Sequence, residues 1–142
     1  MGVWGASGVA LLLLTKYELL QALPGSQAVV FLLAMAASRW AQVILSFALP
    51  YAGSGGGMGE RVAGQIGSRE VLGATFFLLL PAFWLGMKGL LILAGTGLAL
   101  FSLGLLFKKK TGGVTGDLLG AASELTEVCI FFLAVSGVQH HA

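Results

Sequence analysis

Long apolar runs, each broken at a few defined polar positions, occupy most of the chain. The first extends from roughly Val9 to Leu23 and is interrupted by Thr15-Lys16-Tyr17-Glu18. The second, roughly Gln27 to Tyr51, carries Ser38-Arg39-Trp40 near its middle and stops at Pro50-Tyr51. The third, Val71 to about Gly86, contains Pro81, where a kink or break is expected. The fourth, Leu90 to Phe107, is almost purely apolar, and the fifth, Asp117 to about Val138, holds three carboxylates. Runs near 20 residues match the hydrocarbon thickness of a bilayer. The pattern therefore predicts an all-α polytopic transmembrane helix bundle of about five spans, with residues 1–142 as a single membrane domain.

The connections are short. Pro24-Gly25-Ser26 reads as a turn with Ser26 as the next N-cap. Residues 52–70 are the longest polar stretch, with a glycine run over 53–59 that predicts mobility, and Ser68-Arg69-Glu70 as a helix start. Met87-Lys88-Gly89 reads as a turn, and Lys108 to Gly116 as a basic, glycine-rich turn. The 52–70 loop and this turn fall on one side and carry Arg61, Arg69 and three lysines, whereas the opposite side carries Lys88. The positive-inside rule puts the basic loops in the cytoplasm. No internal repeat is evident.

Composition sharpens the class. Hydrophobic residues make up 57% of the 142, charged residues 10%, and the mean hydropathy is +0.93. A soluble domain carries about a quarter charged residues, so a soluble globule is excluded and the lipid bilayer is a partner. The net charge of +2 lies mostly in loops and argues against nucleic acid. The lone Cys129 forms no internal disulfide, and no cleavable signal peptide is evident.

Against this background the charges stand out. Asp117 and Glu124 are seven residues apart, about two helical turns, and share a face; Glu127 follows on an adjoining one. Magnesium takes one or two carboxylates plus substrate phosphate oxygens, so Asp117 and Glu124 are candidate metal ligands. The alternative is structural: Asp117 as an N-cap, and the glutamates protonated or paired with Lys16 or Arg39. Lys16 and Glu18 point to nearly opposite sides of one helix, so each needs a partner elsewhere. Arg39 is too deep to snorkel easily and is expected to face the bundle interior, either on phosphate or on a carboxylate. Gly112-Gly113-Val114-Thr115-Gly116 lets backbone amides approach a phosphate, although it matches neither a Walker A loop nor GxGxxG. The lysine triplet at 108–110 stops and orients a span. Tyr51, Trp4, Trp40 and Trp84 fit an interfacial aromatic belt, and His140-His141 a solvated tail.

Thr111-Gly112-Gly113-Val114-Thr115-Gly116-Asp117-Leu118-Leu119-Gly120-Ala121, followed by Glu124-Leu125-Thr126-Glu127, closely resembles the carboxy-terminal signature of the cobalamin synthase (adenosylcobinamide-GDP ribazoletransferase) family. Gly5 to Leu20 with Lys16, Ser38-Arg39, and Pro50-Tyr51-Ala52 with the glycines to Gly59 resemble further segments of that family. The resemblance implies a multi-spanning inner-membrane enzyme, dependent on Mg2+, that joins alpha-ribazole or its 5′-phosphate to adenosylcobinamide-GDP with release of GMP. It implies Asp117 as first metal ligand, Glu124 as second ligand or base, and Glu127 as a group that orders them. Lys16 and Arg39 would hold the diphosphate, and Tyr51, Thr115 and Gly116 complete the expected substrate contacts. Members of the family carry an acidic Asp-Gly-x-x-Asp type motif in a longer amino-terminal part, and no such motif occurs in this sequence. An amino-terminal half, or a homo-oligomer, is the expected partner. A transporter or channel using Arg39, Glu124 and Glu127, and a non-catalytic half of a split enzyme, are the competing readings.

Overall fold

A computed structural model describes residues 3–23, 27–53 and 66–137. Among the described residues five helices follow one another: α1 (Val3–Ala22), α2 (Gln27–Ala48), α3 (Ser68–Trp84), α4 (Met87–Thr111) and α5 (Gly116–Ser136). The architecture is an all-α bundle. Among the described residues three helices are long and apolar enough to cross a membrane: α2 over Ala28–Ala48, α4 and α5. The expected five spans are thus five helices. α3 has 17 residues, short of the roughly 20 needed to cross the hydrocarbon core upright, and α1 carries Lys16 and Glu18 in its second half.

Helix α2 lies at the centre. Ala34, Ala37 and Ala41 on its inner face are fully buried. Small side chains let backbones approach closely, which drives helix association where no hydrophobic effect operates between helices. Toward the α2 N-terminus, Val30 and Leu33 join Leu78 and Ala82 of α3, Ile92 of α4, and Ile130 and Phe131 of α5 in one cluster. Toward its C-terminus, Ala41 and Leu45 join Leu100, Phe107, Val114, Leu119 and Ala122 in a second. Residue numbers rising along α2 meet numbers falling along α5, so these two helices are antiparallel. Trp40 in the middle of α2 donates its indole N–H to Thr75 of α3 (3.0 Å). Trp40 is therefore a mid-bundle strut and not an interfacial belt residue; Trp84, exposed at the end of α3, suits the belt.

Element ends differ from the expected ones for local reasons. The Glu70 carboxylate accepts the Gly67 N–H (2.8 Å), which starts α3 at Ser68 as expected. Pro81 falls in the last turn of α3 and the helix continues through it to Trp84. Lacking an N–H, proline there leaves one carbonyl a turn earlier without its helical partner, a loss the helix end tolerates. The chain then reverses at Leu85 and Gly86, whose φ of +59° suits glycine alone. Met87-Lys88-Gly89 is the first turn of α4 and not a connection. The expected Ser26 cap, nearly all of the glycine run, Arg61 and the histidine tail lie outside the described residues, as does the side chain of Trp4.

One end of the bundle collects the polar features. The C-termini of α2 and α4 and the N-termini of α3 and α5 meet there, bringing Pro50–Gly53, Arg69, Glu70, Lys108–Lys110 and Asp117 to one end of the bundle. Lys88 lies at the other end.

Candidate functional site

The connection from α4 to α5 is built to close tolerances. Lys108, Lys109 and Lys110 form the last turn of α4. They are helical residues and not part of the turn, and the negative end of the helix dipole favours cations there. Gly112 ends the helix in the left-handed region (φ +75°), its N–H donating to the Lys108 carbonyl (3.1 Å). Gly113 follows in contact with the Pro50 carbonyl, and a Cβ at that position would run into that oxygen. Val114 N–H donates to the Pro50 carbonyl (2.9 Å), and Ala52 N–H donates to the Val114 carbonyl (2.8 Å). This short parallel bridge between Tyr51 and Val114 holds the Pro-Tyr-Ala segment against the glycine-rich turn. The Thr111 hydroxyl lies 2.7 Å from the carbonyls of both Phe107 and Gly113 and donates to one at a time.

Thr115 caps α5: its Oγ1 accepts the Leu118 N–H (3.3 Å). The N-cap alternative for Asp117 is thereby removed. Asp117 is the second residue of the helix and exposed, and its side chain makes no hydrogen bond or ion pair among the described residues. It stands beside the positive end of the α5 dipole, with Gly116 before it and Tyr51 across the bridge. Thr115, Gly116 and Asp117 follow one another at the polar end, where the Tyr51 backbone is bridged to the preceding Val114.

A second group lies deeper. The Lys16 ammonium of α1 donates to Glu124 Oε2 and to Glu127 Oε2 of α5, each at 2.6 Å. The Lys16 and Glu127 side chains retain 13% and 18% of their exposure, Glu124 47%. Their spacing of three brings both carboxylates to one cation. Lys16 thereby ties α1 to α5, and its two contacts are with Oε2, leaving Oε1 of each glutamate without a partner among the described residues. Glu124 is the more open of the two. Asp117 shares its face seven residues earlier, about 10 Å along the axis at 1.5 Å per residue.

Arg39 joins neither group. It is exposed on α2, and among the described residues its side chain makes a 3.4 Å hydrogen bond donated to Gln42. The expectation that it faces the interior is corrected. Ala37, Ser38 and Ala41 take the buried face, and each residue turns a helix by about 100°, so Arg39 swings outward. Glu18 is exposed, and Cys129 is a half-buried free thiol. Thr111 opens the signature segment, but its hydrogen bonds to Phe107 and Gly113 and the Tyr51–Val114 bridge were not expected. The juxtaposition of two glycines with a Pro-Tyr-Ala segment some sixty residues away has no local signature, although the adjacent pair Gly112-Gly113 signals close backbone approach.

The profile of the cobalamin-5-phosphate synthase family matches residues 1–135 of this chain. The chain belongs to that family. Adenosylcobinamide-GDP ribazoletransferase of Desulforamulus reducens is 35% identical over 98% of this chain and 56% of its own length. The ribazoletransferase of Syntrophobacter fumaroxidans is 34% identical over 94% of this chain and 54% of its own length. That of Chlorobaculum parvum is 40% identical over 68% of this chain and 40% of its own length. The chain thus spans about half the length of the curated relatives it matches. No solved structure matches.

The donor chemistry bears on a metal. Among the described residues no group of three or more histidine, cysteine, aspartate or glutamate side chains is assembled to hold an ion. Magnesium needs fewer protein ligands than that when substrate phosphates complete its shell. Asp117, open and unpaired, suits that role, and Glu124 retains a free Oε1 beside its lysine contact.

Proposed function

We propose that this chain carries the carboxylate-bearing part of an adenosylcobinamide-GDP ribazoletransferase, a membrane-embedded phosphoryl-group transferase. The observation that supports it best is the capped, bridged turn that presents Asp117 free at the polar end of α5, on the same face as Glu124. Family membership and the printed names of the relatives point the same way.

In this reading a ribazole hydroxyl oxygen forms a bond to the phosphorus that bears the cobinamide. The bond from that phosphorus to the bridging oxygen breaks, and GMP leaves. The hydroxyl proton passes to a carboxylate, with Glu124 Oε1 the candidate acceptor. Asp117 would hold Mg2+ together with substrate phosphate oxygens, and the ion when bound would supply charge neutralisation to the diphosphate; Glu124, about 10 Å further along α5, is kept for the acid–base role. Lys16 pairs with and orients Glu124 and Glu127, and Glu127 fixes Lys16 in turn. Amide groups around Thr115 and Gly116, at the α5 N-terminus, favour a phosphate oxygen, and Tyr51 borders the same space. Arg39, on the outer face of α2 and apart from both groups, takes no part in this reading. The protein sits in the inner membrane with the polar end in the cytoplasm, in accordance with the lysines gathered there.

The test supplies adenosylcobinamide-GDP, alpha-ribazole or its 5′-phosphate, and magnesium to the purified chain in liposomes, alone and with an amino-terminal segment from a relative. Cobamide and GMP should appear in equal amounts and disappear with Asp117→Ala. Turnover by Asp117→Ala at the wild-type rate would remove Asp117 from the mechanism, and no product in either assembly would remove the reading.

A further inference from the structure

An open groove of about 360 Å3 runs between α2 and α4. Ile44 and Ala48 of α2 and Leu100, Phe101 and Leu105 of α4 line it, together with Gly97 and Gly104. A Cβ built on Gly97 meets no atom within 4 Å, and one on Gly104 meets only a Leu45 methyl at 3.4 Å. Gly97 and Gly104 therefore leave room along the α4 wall of the groove. Lys108 is the one charged residue among those that line it. It stands at the polar end, with Lys109 and Lys110 beside it in the last turn of α4. A comparable groove of about 500 Å3 between α2 and α3, lined by Leu32, Ala36 and Phe77 among others, has no charged lining residue.

In a bilayer an apolar channel along a helix pair fills with hydrocarbon, and hydrocarbon alone does not discriminate. An ammonium at the mouth does, because it stands at headgroup depth where a phosphate ends an acyl chain. A volume of about 360 Å3 is less than several turns of a helix about 10 Å across would fill. We infer that the α2–α4 groove is a binding site for one anionic phospholipid, its acyl chain against Gly97 and Gly104 and its phosphate on Lys108. The site lies on a different helix pair from the Lys16–Glu124–Glu127 cluster and does not rest on the transferase reading. It would fix the register of α2 against α4 at the end where Pro50 meets Gly113.

The purified chain in detergent, offered equal amounts of phosphatidylglycerol and phosphatidylcholine with identical acyl chains, is examined by native mass spectrometry. One phosphatidylglycerol should be retained in preference by about fivefold, the ratio expected of a single lysine contact at a membrane surface. Lys108→Gln should erase the preference. Gly97→Leu, which fills the groove, should lower retention of both lipids, with its helicity checked by circular dichroism. Lys109→Gln, outside the groove, should leave the preference intact. Equal retention of the two lipids by the wild type would overturn the site. So would a preference that survives both Lys108→Gln and Gly97→Leu, or one that Lys109→Gln weakens as much as Lys108→Gln, since either marks diffuse attraction to the lysine cluster.

Discussion

Lys16 holds two carboxylates in unequal surroundings, and that inequality is measurable. Glu127 is the more enclosed partner, and an enclosed charge left unpaired costs more than one that water reaches. Removing the cation with Lys16→Met should destabilise the fold by about 3 kcal/mol. In double-mutant cycles, coupling of Lys16 to Glu127 should exceed its coupling to Glu124, which should fall toward the ~1 kcal/mol of exposed pairs. Equal couplings in reversible detergent unfolding would contradict this ranking. Gly113 offers a second test. Gly113→Ala forces the Pro50 carbonyl away and breaks the two hydrogen bonds of the bridge, a loss of roughly 2 kcal/mol at about 1 kcal/mol each. Gly116→Ala, whose Cβ meets nothing within 4 Å, should be as stable as the wild type. Matching unfolding midpoints for the two variants would show that the contact does not matter. At this scale the sequence was legible where a rule of spacing applied: Glu124 and Glu127 three apart do share one lysine. The direction of Arg39 was not legible, because depth along a helix says nothing of rotation about it until the seam of Ala34, Ala37 and Ala41 is known.

Helices were the readable elements, and their boundaries the less readable ones. Each apolar run became a helix, since length and hydropathy are local properties. The two misplaced turns have one cause. Met87-Lys88-Gly89 and Lys108-Lys109-Lys110 looked polar enough for loops, yet the chain reverses at the positive-φ glycines Gly86 and Gly112 and leaves the charged residues helical. Charge marks where a span meets water, whereas the backbone turns where glycine permits it. The α2–α5 seam is the element contact that positions the site. Ala37→Leu should overpack it and cost about 1–3 kcal/mol, whereas Leu32→Ala on the outer face of α2 should cost well under 1 kcal/mol by the usual range for surface positions. Comparable losses in thermal unfolding would argue that α2 and α5 do not meet as described.

The whole molecule has two unlike ends, and that asymmetry sets the remaining expectations. Lys88 and Lys109 mark opposite ends of α4, about 30 Å apart at 1.5 Å per residue. In a Cys129→Ser background, single cysteines at these positions should react with an impermeant maleimide from opposite faces of sealed vesicles; labelling of both from one face would show that α4 does not span. Membrane class was legible from composition, because no soluble surface can be assembled from 10% charged residues. The grouping of Tyr51, Thr115, Gly116 and Asp117 was not, since it depends on a bridge between segments sixty residues apart. Because the chain spans about half the length of its curated relatives, the proposed transfer is best measured in an assembly that supplies the remainder. The decisive measurement is the single-turnover rate of GMP release from adenosylcobinamide-GDP in that assembly for wild type, Asp117→Asn, Glu124→Gln and Lys109→Gln. Losses of about 100-fold or more are expected for the first two variants, the scale of a removed acid–base or charge-stabilising group, and a rate within about twofold of wild type for Lys109→Gln, a position outside the carboxylate face. Wild-type rates with Asp117→Asn and Glu124→Gln would contradict the proposed roles of both residues and leave the carboxylate face of α5 a structural feature.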